Sequence, residues 1–172
     1  MSEEQKNAPT LVRDLMSVGV PTCAPELPLL ELTKLFLEKE LEAIVVLDER
    51  GHAIGVVSRE DLVRIYATGE WSDLMAADAM QDGVPEVPPD IPLTAAAQIM
   101  QDQNVRALFM MHHAGGIAYP AAMLTYKHFL RHLAAEDETV LSDLGIEAER
   151  EPPLQAFYRR RDEARRKAGP RR

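Results

Sequence analysis

Ser58 and Asp61 stand three residues apart at the close of an apolar run, Ile54-Gly55-Val56-Val57. A serine that opens a helix, with a carboxylate in the first turn, can do two kinds of chemistry. It can cap: the hydroxyl accepts from a first-turn N–H while the carboxylate reaches back to the cap residue. It can also bind: the hydroxyl and the free N–H groups of that turn receive an anion, and the carboxylate accepts both hydroxyls of a vicinal diol. Gly55 allows close approach to the strand. Both readings stand on the residues alone.

A second constellation, Thr125, Lys127 and His128, repeats this arrangement with different chemistry. An imidazole cannot accept two hydroxyls as a carboxylate does, so a diol is not expected there. His128 and His132 have the i, i+4 spacing that can hold a metal from one helix face, but no third ligand is signalled. Cys23 lies in an extended apolar stretch, where it reads as a small hydrophobe. A nucleophile elbow, a phosphate loop and a Cys-x-x-Cys pair are all absent, so an enzyme is not expected.

These residues recur because the chain repeats itself. A shift of 64 positions superposes Asp14, Met16, Gly19, Val20 and Pro21 on Asp78, Met80, Gly83, Val84 and Pro85. Pro25, Pro28, Leu29, Ala43 and Gly51 then meet Pro89, Pro92, Leu93, Ala107 and Gly115. After the glycine turn the shift becomes 67, and Ser58 and Asp61 meet Thr125 and His128. Each copy reads as an opening extended segment, a Pro-flanked turn, an amphipathic helix, a hairpin and a closing helix. The helices carry Leu29, Leu32, Leu35 and Phe36, or Leu93, Ala96, Ile99 and Met100, at core-facing spacing. The hairpins are expected at 43–47 with 54–57, and at 107–111 with 121–124, turning over 48–51 and 112–116. The fold class is therefore α+β: two βαββα repeats packed as a pseudo-twofold pair. Residues 1–10 form an N-terminal tail, 11–70 the first repeat, 71–135 the second and 136–172 a C-terminal extension.

The sequence has 172 residues and a net charge of −9, unevenly spread. Residues 150–172 carry nine Lys/Arg against Glu151, Asp162 and Glu163, which leaves the first 149 residues at −15. Such an acidic body disfavours general nucleic-acid binding. Pro152 and Pro153 suit a helix start, and Leu154, Phe157 and Tyr158 give the tail its apolar stripe. No apolar run approaches the ~20 residues of a membrane span, and the single cysteine fits a reducing compartment, so a cytoplasmic protein is expected.

The run Ile54-Gly55-Val56-Val57-Ser58-Arg59-Glu60-Asp61, the Asp14-Leu15-Met16 opening and the Val46-Leu47-Asp48-Glu49-Arg50-Gly51 hairpin resemble the cystathionine-β-synthase (CBS) domain. The tandem copies, over about residues 11–135, resemble a stand-alone Bateman module. That resemblance implies a regulatory module that binds an adenosine-type ligand between its repeats (AMP, ADP, ATP or S-adenosylmethionine), needs no cofactor and modulates a partner protein. It places Gly55, Ser58 and Asp61, flanked by Val87 and Pro88, at the first site. Thr125, Lys127 and His128, flanked by Cys23 and Ala24, form a weaker second site. Glu42 and Arg106 hold matching positions before the middle strands. If each faces its own repeat's site, the Asp61 site is doubly acidic, prefers a ligand of low negative charge, and leaves Arg106 to the second site. A homodimer through the outer faces of 29–37 and 62–66 is also implied. The competing expectation is a ligand-free adapter acting through its basic tail.

Overall fold

The computed structural model describes residues 9–135. The expected basic helix lies outside the described residues. The elements run in order α1 (Val12–Leu15), β1 (Ser17–Val18), β2 (Thr22–Cys23), α2 (Leu29–Glu38), β3 (Ala43–Leu47), β4 (Ala53–Ser58) and α3 (Arg59–Tyr66). The second copy follows with α4 (Ala76–Ala79), β5 (Gln81–Asp82), α5 (Leu93–Asp102), β6 (Ala107–Ala114), β7 (Ile117–Thr125) and α6 (Tyr126–Ala134).

The opening segment of each repeat breaks in two at a glycine. Gly19 and Gly83 have φ of 88° and 80°, a left-handed conformation that costs glycine little. Ahead of the break the chain pairs with the other repeat: β1 runs antiparallel to β7, and β5 antiparallel to β4. Behind the break it returns to its own repeat. Thr22 and Cys23 pair in parallel with Val45 and Val46, and Glu86 bridges Phe109 in parallel. One sheet has the order β2-β3-β4-β5 and the other β1-β7-β6. The repeats thus exchange their first strands.

The exchange extends to the cores. Val12, Leu15 and Met16 of the first repeat are buried with Leu93, Ala96, Met100, Leu108 and Leu124 of the second. Ala76 and Ala79 are buried with Leu29, Leu32, Phe36, Ile44 and Val57 of the first. A third cluster, including Ala43, Val45, Val56, Ala107, Phe109 and Met123, joins the two sheets. Each large apolar side chain buried this way contributes about 1.5–3 kcal/mol relative to exposure, so the halves depend on each other for much of their burial.

Both long helices bury the expected stripe and begin directly after proline, Pro28 and Pro92. The second hairpin is longer than its periodicity suggests. His112, His113 and Ala114 continue β6, and the turn is made by Gly115 and Gly116 alone. Both have positive φ, as a two-residue I′ turn requires. Glu40 and Asn104, just past α2 and α5, also have positive φ (49° and 52°). Asparagine tolerates that position and glutamate does so at a cost. Among the described residues no helix is long and apolar enough to cross a membrane.

Candidate functional site

Strand exchange opens a cavity of about 540 Å³ between the repeats. One wall is the junction of β4 and α3, with Ser58, Asp61 and Arg64; the opposite wall is the segment from Gln81 to Pro85. Ala43, Val56 and Ala107 form an apolar floor, and Arg106 stands at the rim.

Asp61 is only 4% exposed. Its Oδ2 accepts from the Ser58 N–H at 2.8 Å and from the Ser58 hydroxyl at 2.6 Å. The Asp61 N–H donates to Ser58 Oγ at 3.3 Å, which completes a capping box. The other oxygen, Oδ1, accepts from Arg64 Nη2 at 2.7 Å and from Gln81 Nε2 at 2.9 Å. The carboxylate is therefore divided: one oxygen caps the helix, and the other is held by two side chains that line the cavity.

Burial alone would raise the Asp61 pKa. Donation from Ser58, Gln81 and Arg64 outweighs it and holds the carboxyl below the usual carboxylate range. A group whose pKa is depressed on folding stabilises the fold above its unfolded pKa, and that contribution disappears as pH falls through the folded value. The stability advantage of wild type over Asp61→Asn is accordingly expected to be constant near neutrality. It should shrink below about pH 4, the unfolded aspartate range, in urea titrations run from pH 7 to 2.5.

Arg106 is placed differently from the sequence expectation. It lies in the Asp61 cavity, with Nε 3.3 Å from Glu60 Oε2 and Nη1 donating to the Tyr126 hydroxyl at 3.1 Å. Its guanidinium also sits 5.2 Å from the centre of the Tyr126 ring. Glu42 is found instead with Lys127 and Tyr126 at a shallower cavity of about 410 Å³, and pairs with Arg59 at 3.3 Å. Each residue stands between the two helix starts: Arg106 reaches Glu60 of α3 and Tyr126 of α6, and Glu42 pairs with Arg59 of α3 beside Tyr126 and Lys127 of α6. Of the two, Arg106 lines the Asp61 cavity and Glu42 does not.

Val87 and Pro88 do not line the cavity. Val87 is 3% exposed in the second repeat's core, its N–H donating to the Phe109 carbonyl at 2.9 Å, and Pro88 faces solvent. Gly83, Val84 and Pro85 take the place foreseen for them. Gly55 has a different reason to be glycine: a Cβ there would lie 2.6 Å from the Gln81 carbonyl oxygen. It admits strand β5, not a ligand. Cys23 pairs with Val46 and packs on the first core, where burial pushes its thiol up to about 11. Ala24 is exposed.

At the second junction, His128 is 6% exposed and committed to the fold. Its Nδ1 accepts from the Thr125 N–H at 2.9 Å, which puts the ring proton on Nε2, facing Ser17 Oγ at 2.6 Å. Thr125 is buried and Lys127 exposed. Gln81 and Arg64 were not foreseen as site residues. Arg64 could have been found three residues after Asp61 on the same helix; Gln81 reaches Asp61 only through strand exchange.

Exchanged strands around an inter-repeat cleft define a tandem α+β repeat pair. A family model, the CBS domain, matches residues 12–68 and 76–135, and the chain belongs to that family. Arabinose 5-phosphate isomerase KdsD of Yersinia pestis is 28% identical over 102 residues, 58% of this chain. The chain spans about a third of the length of the curated relatives it matches, 37% and 31%. The CBS domain pair of protein MJ0100, solved with 5′-methylthioadenosine and S-adenosyl-L-methionine, superposes with a TM-score of 0.66 at 18% identity, covering 76% of this chain and all of that one. Protein PAE2072 of Pyrobaculum aerophilum, solved with AMP, gives 0.59 at 16% identity, covering 80% of this chain and all of that one.

Proposed function

We propose that the chain is a regulatory module that binds an adenosine nucleotide in the Asp61 cleft, and does not itself catalyse a reaction. The observation that carries this reading is the Asp61 Oδ1 atom, an ionised acceptor in a cavity with an apolar floor and two arginines. A ribose diol suits the carboxylate, an adenine ring the floor, and a phosphate the guanidinium of Arg106 or Arg64. With Arg106 beside Asp61 the cleft is not doubly acidic, so of the two low-charge ligands expected for it, AMP and the cationic S-adenosylmethionine, the phosphate-bearing AMP is favoured. The adenosine ligands of the two similar structures are consistent with this choice. His128, engaged on both ring nitrogens, supports a structural part for the second junction.

Exposed Leu37, Val63, Tyr66, Leu130 and Leu133 on the outer helices support a homodimer, through which occupancy would reach a partner protein. The test is thermal unfolding with AMP, ATP and S-adenosylmethionine. A ligand that binds only the folded state at 100 times its Kd adds about 2.7 kcal/mol, so AMP should raise Tm visibly and most strongly of the three. Absence of a shift with all three would favour the ligand-free adapter.

A further inference from the structure

The cap and the cleft compete for one carboxylate, and Gln81 stands between them. Oδ2 of Asp61 belongs to the Ser58 cap, so a diol must be received chiefly at Oδ1. That atom already accepts from Arg64 and from Gln81. The two donors are not equivalent. Arg64 brings a positive charge to a buried anion, whereas the Gln81 amide is neutral and exposed on a strand of two residues. A ligand hydroxyl can replace the neutral donor without stranding the anion, but replacing Arg64 would remove its counter-charge.

Resting on the ligand reading above, we propose that Gln81 is the group a ribose displaces, and that its release couples occupancy of the cleft to the fastening between repeats. Gln81 belongs to the second repeat and Asp61 to the first, so their 2.9 Å bond is a clasp across the exchange. The N-terminal side of β5 is anchored by Ala79 and Met80 in the first repeat's core, but beyond them the hold on the strand is slight. It pairs with β4 only at Gln81 with Val56 and Asp82 with Gly55, and the Gly83 N–H donates to the Ile54 carbonyl at 2.9 Å. The corresponding clasp in the other half, Ser17 to His128 at 2.6 Å, joins a half-buried serine to a buried histidine, whereas Gln81 is exposed. The module therefore has one clasp that a ligand opens and one that stays closed.

The experiment is calorimetric titration of AMP into wild type, Gln81→Met, Gln81→Ala, Arg64→Met and Asp61→Asn, with the Gln81 side-chain amide followed by NMR. Gln81→Met retains the length of the side chain without its amide, and Gln81→Ala removes both. Each should bind AMP roughly five-fold more tightly, the worth of one competing hydrogen bond, while Arg64→Met binds more weakly. Saturating AMP should move the Gln81 amide resonances to the positions of a free glutamine. Equal or weaker binding by both Gln81 variants, with wild-type binding intact, overturns the proposal: the amide then holds the ligand or never leaves. A wild type that binds no AMP, or an Asp61→Asn protein that binds it as well as wild type, overturns the ligand reading itself.

Discussion

Asp61→Asn is expected to weaken AMP binding by about 10- to 100-fold while leaving a folded protein. The ribose hydroxyl received at Oδ1 loses an ionised acceptor, and a hydrogen bond to a charged group is worth about 1.5–3 kcal/mol. Asparagine also presents an N–H2 donor to a hydroxyl that needs an acceptor. A loss of that size corresponds to about one to two decades in Kd. The fold should tolerate the change because the amide oxygen can still accept from the Ser58 N–H. Arg64 loses its pair but is 55% exposed, so water can solvate its charge, and the neutral amide leaves no buried anion without a partner. Calorimetry and a melting curve on one preparation separate the two effects. Undiminished AMP affinity in Asp61→Asn would reduce the carboxylate to a helix cap.

Gly55→Ala is expected to be the more damaging change to the fold, although it adds a single methyl group. That methyl would lie 2.6 Å from the Gln81 carbonyl oxygen and 2.8 Å from Met80 Sδ. The sulfur ends a flexible side chain and can yield. The carbonyl is backbone in a paired strand, so β5 must lift away from β4. Overpacking of this kind costs about 1–3 kcal/mol, a large part of the stability of a small domain. Urea unfolding should show a lower midpoint with an unchanged slope, since the same surface is exposed on unfolding. AMP affinity should fall as well, because the segment from Gln81 to Pro85 is one wall of the cavity. The second repeat has alanine at the matching position, where Ala122 faces Val18 and is fully buried. The same backbone plan thus admits a methyl on one side and excludes it on the other.

The repeat was legible because its markers act locally. Pro28 and Pro92 mark helix starts whatever the partner, since each stands at the N-cap, where a residue without an N–H gives up no helical hydrogen bond. Ser58 caps α3 through atoms three residues away. Apolar spacing along α2 and α5 announced the buried faces Leu29, Leu32, Phe36 and Leu93, Ala96, Met100. Even the wall of the cleft was marked: Gly83, Val84 and Pro85 are identities between the repeats, although Val87 and Pro88 were expected to serve. The shift of two to three residues arises because parallel pairing to β6 turns Val87 into the core.

Local signals determined the long helices, the hairpins, the Ser58–Asp61 cap and the asymmetry between Asp61 and His128, because each depends on residues within a few positions of one another. The short opening helices α1 and α4 were expected only as extended chain. Partnership across the repeats was decided by the tertiary structure. Exchange of β1 and β5 sends Gln81 to Asp61 and Ser17 to His128, and meeting of the middle strands carries Arg106 to the Asp61 side and Glu42 away from it. A pattern of period two or 3.6 states which face of an element is buried, but not against which other element. In a duplicated chain each strand has two nearly equivalent partners. The choice between them was made by the glycine turns at 19 and 83, the mutual burial of the short opening helices, and the space that Gly55 leaves for a neighbouring backbone.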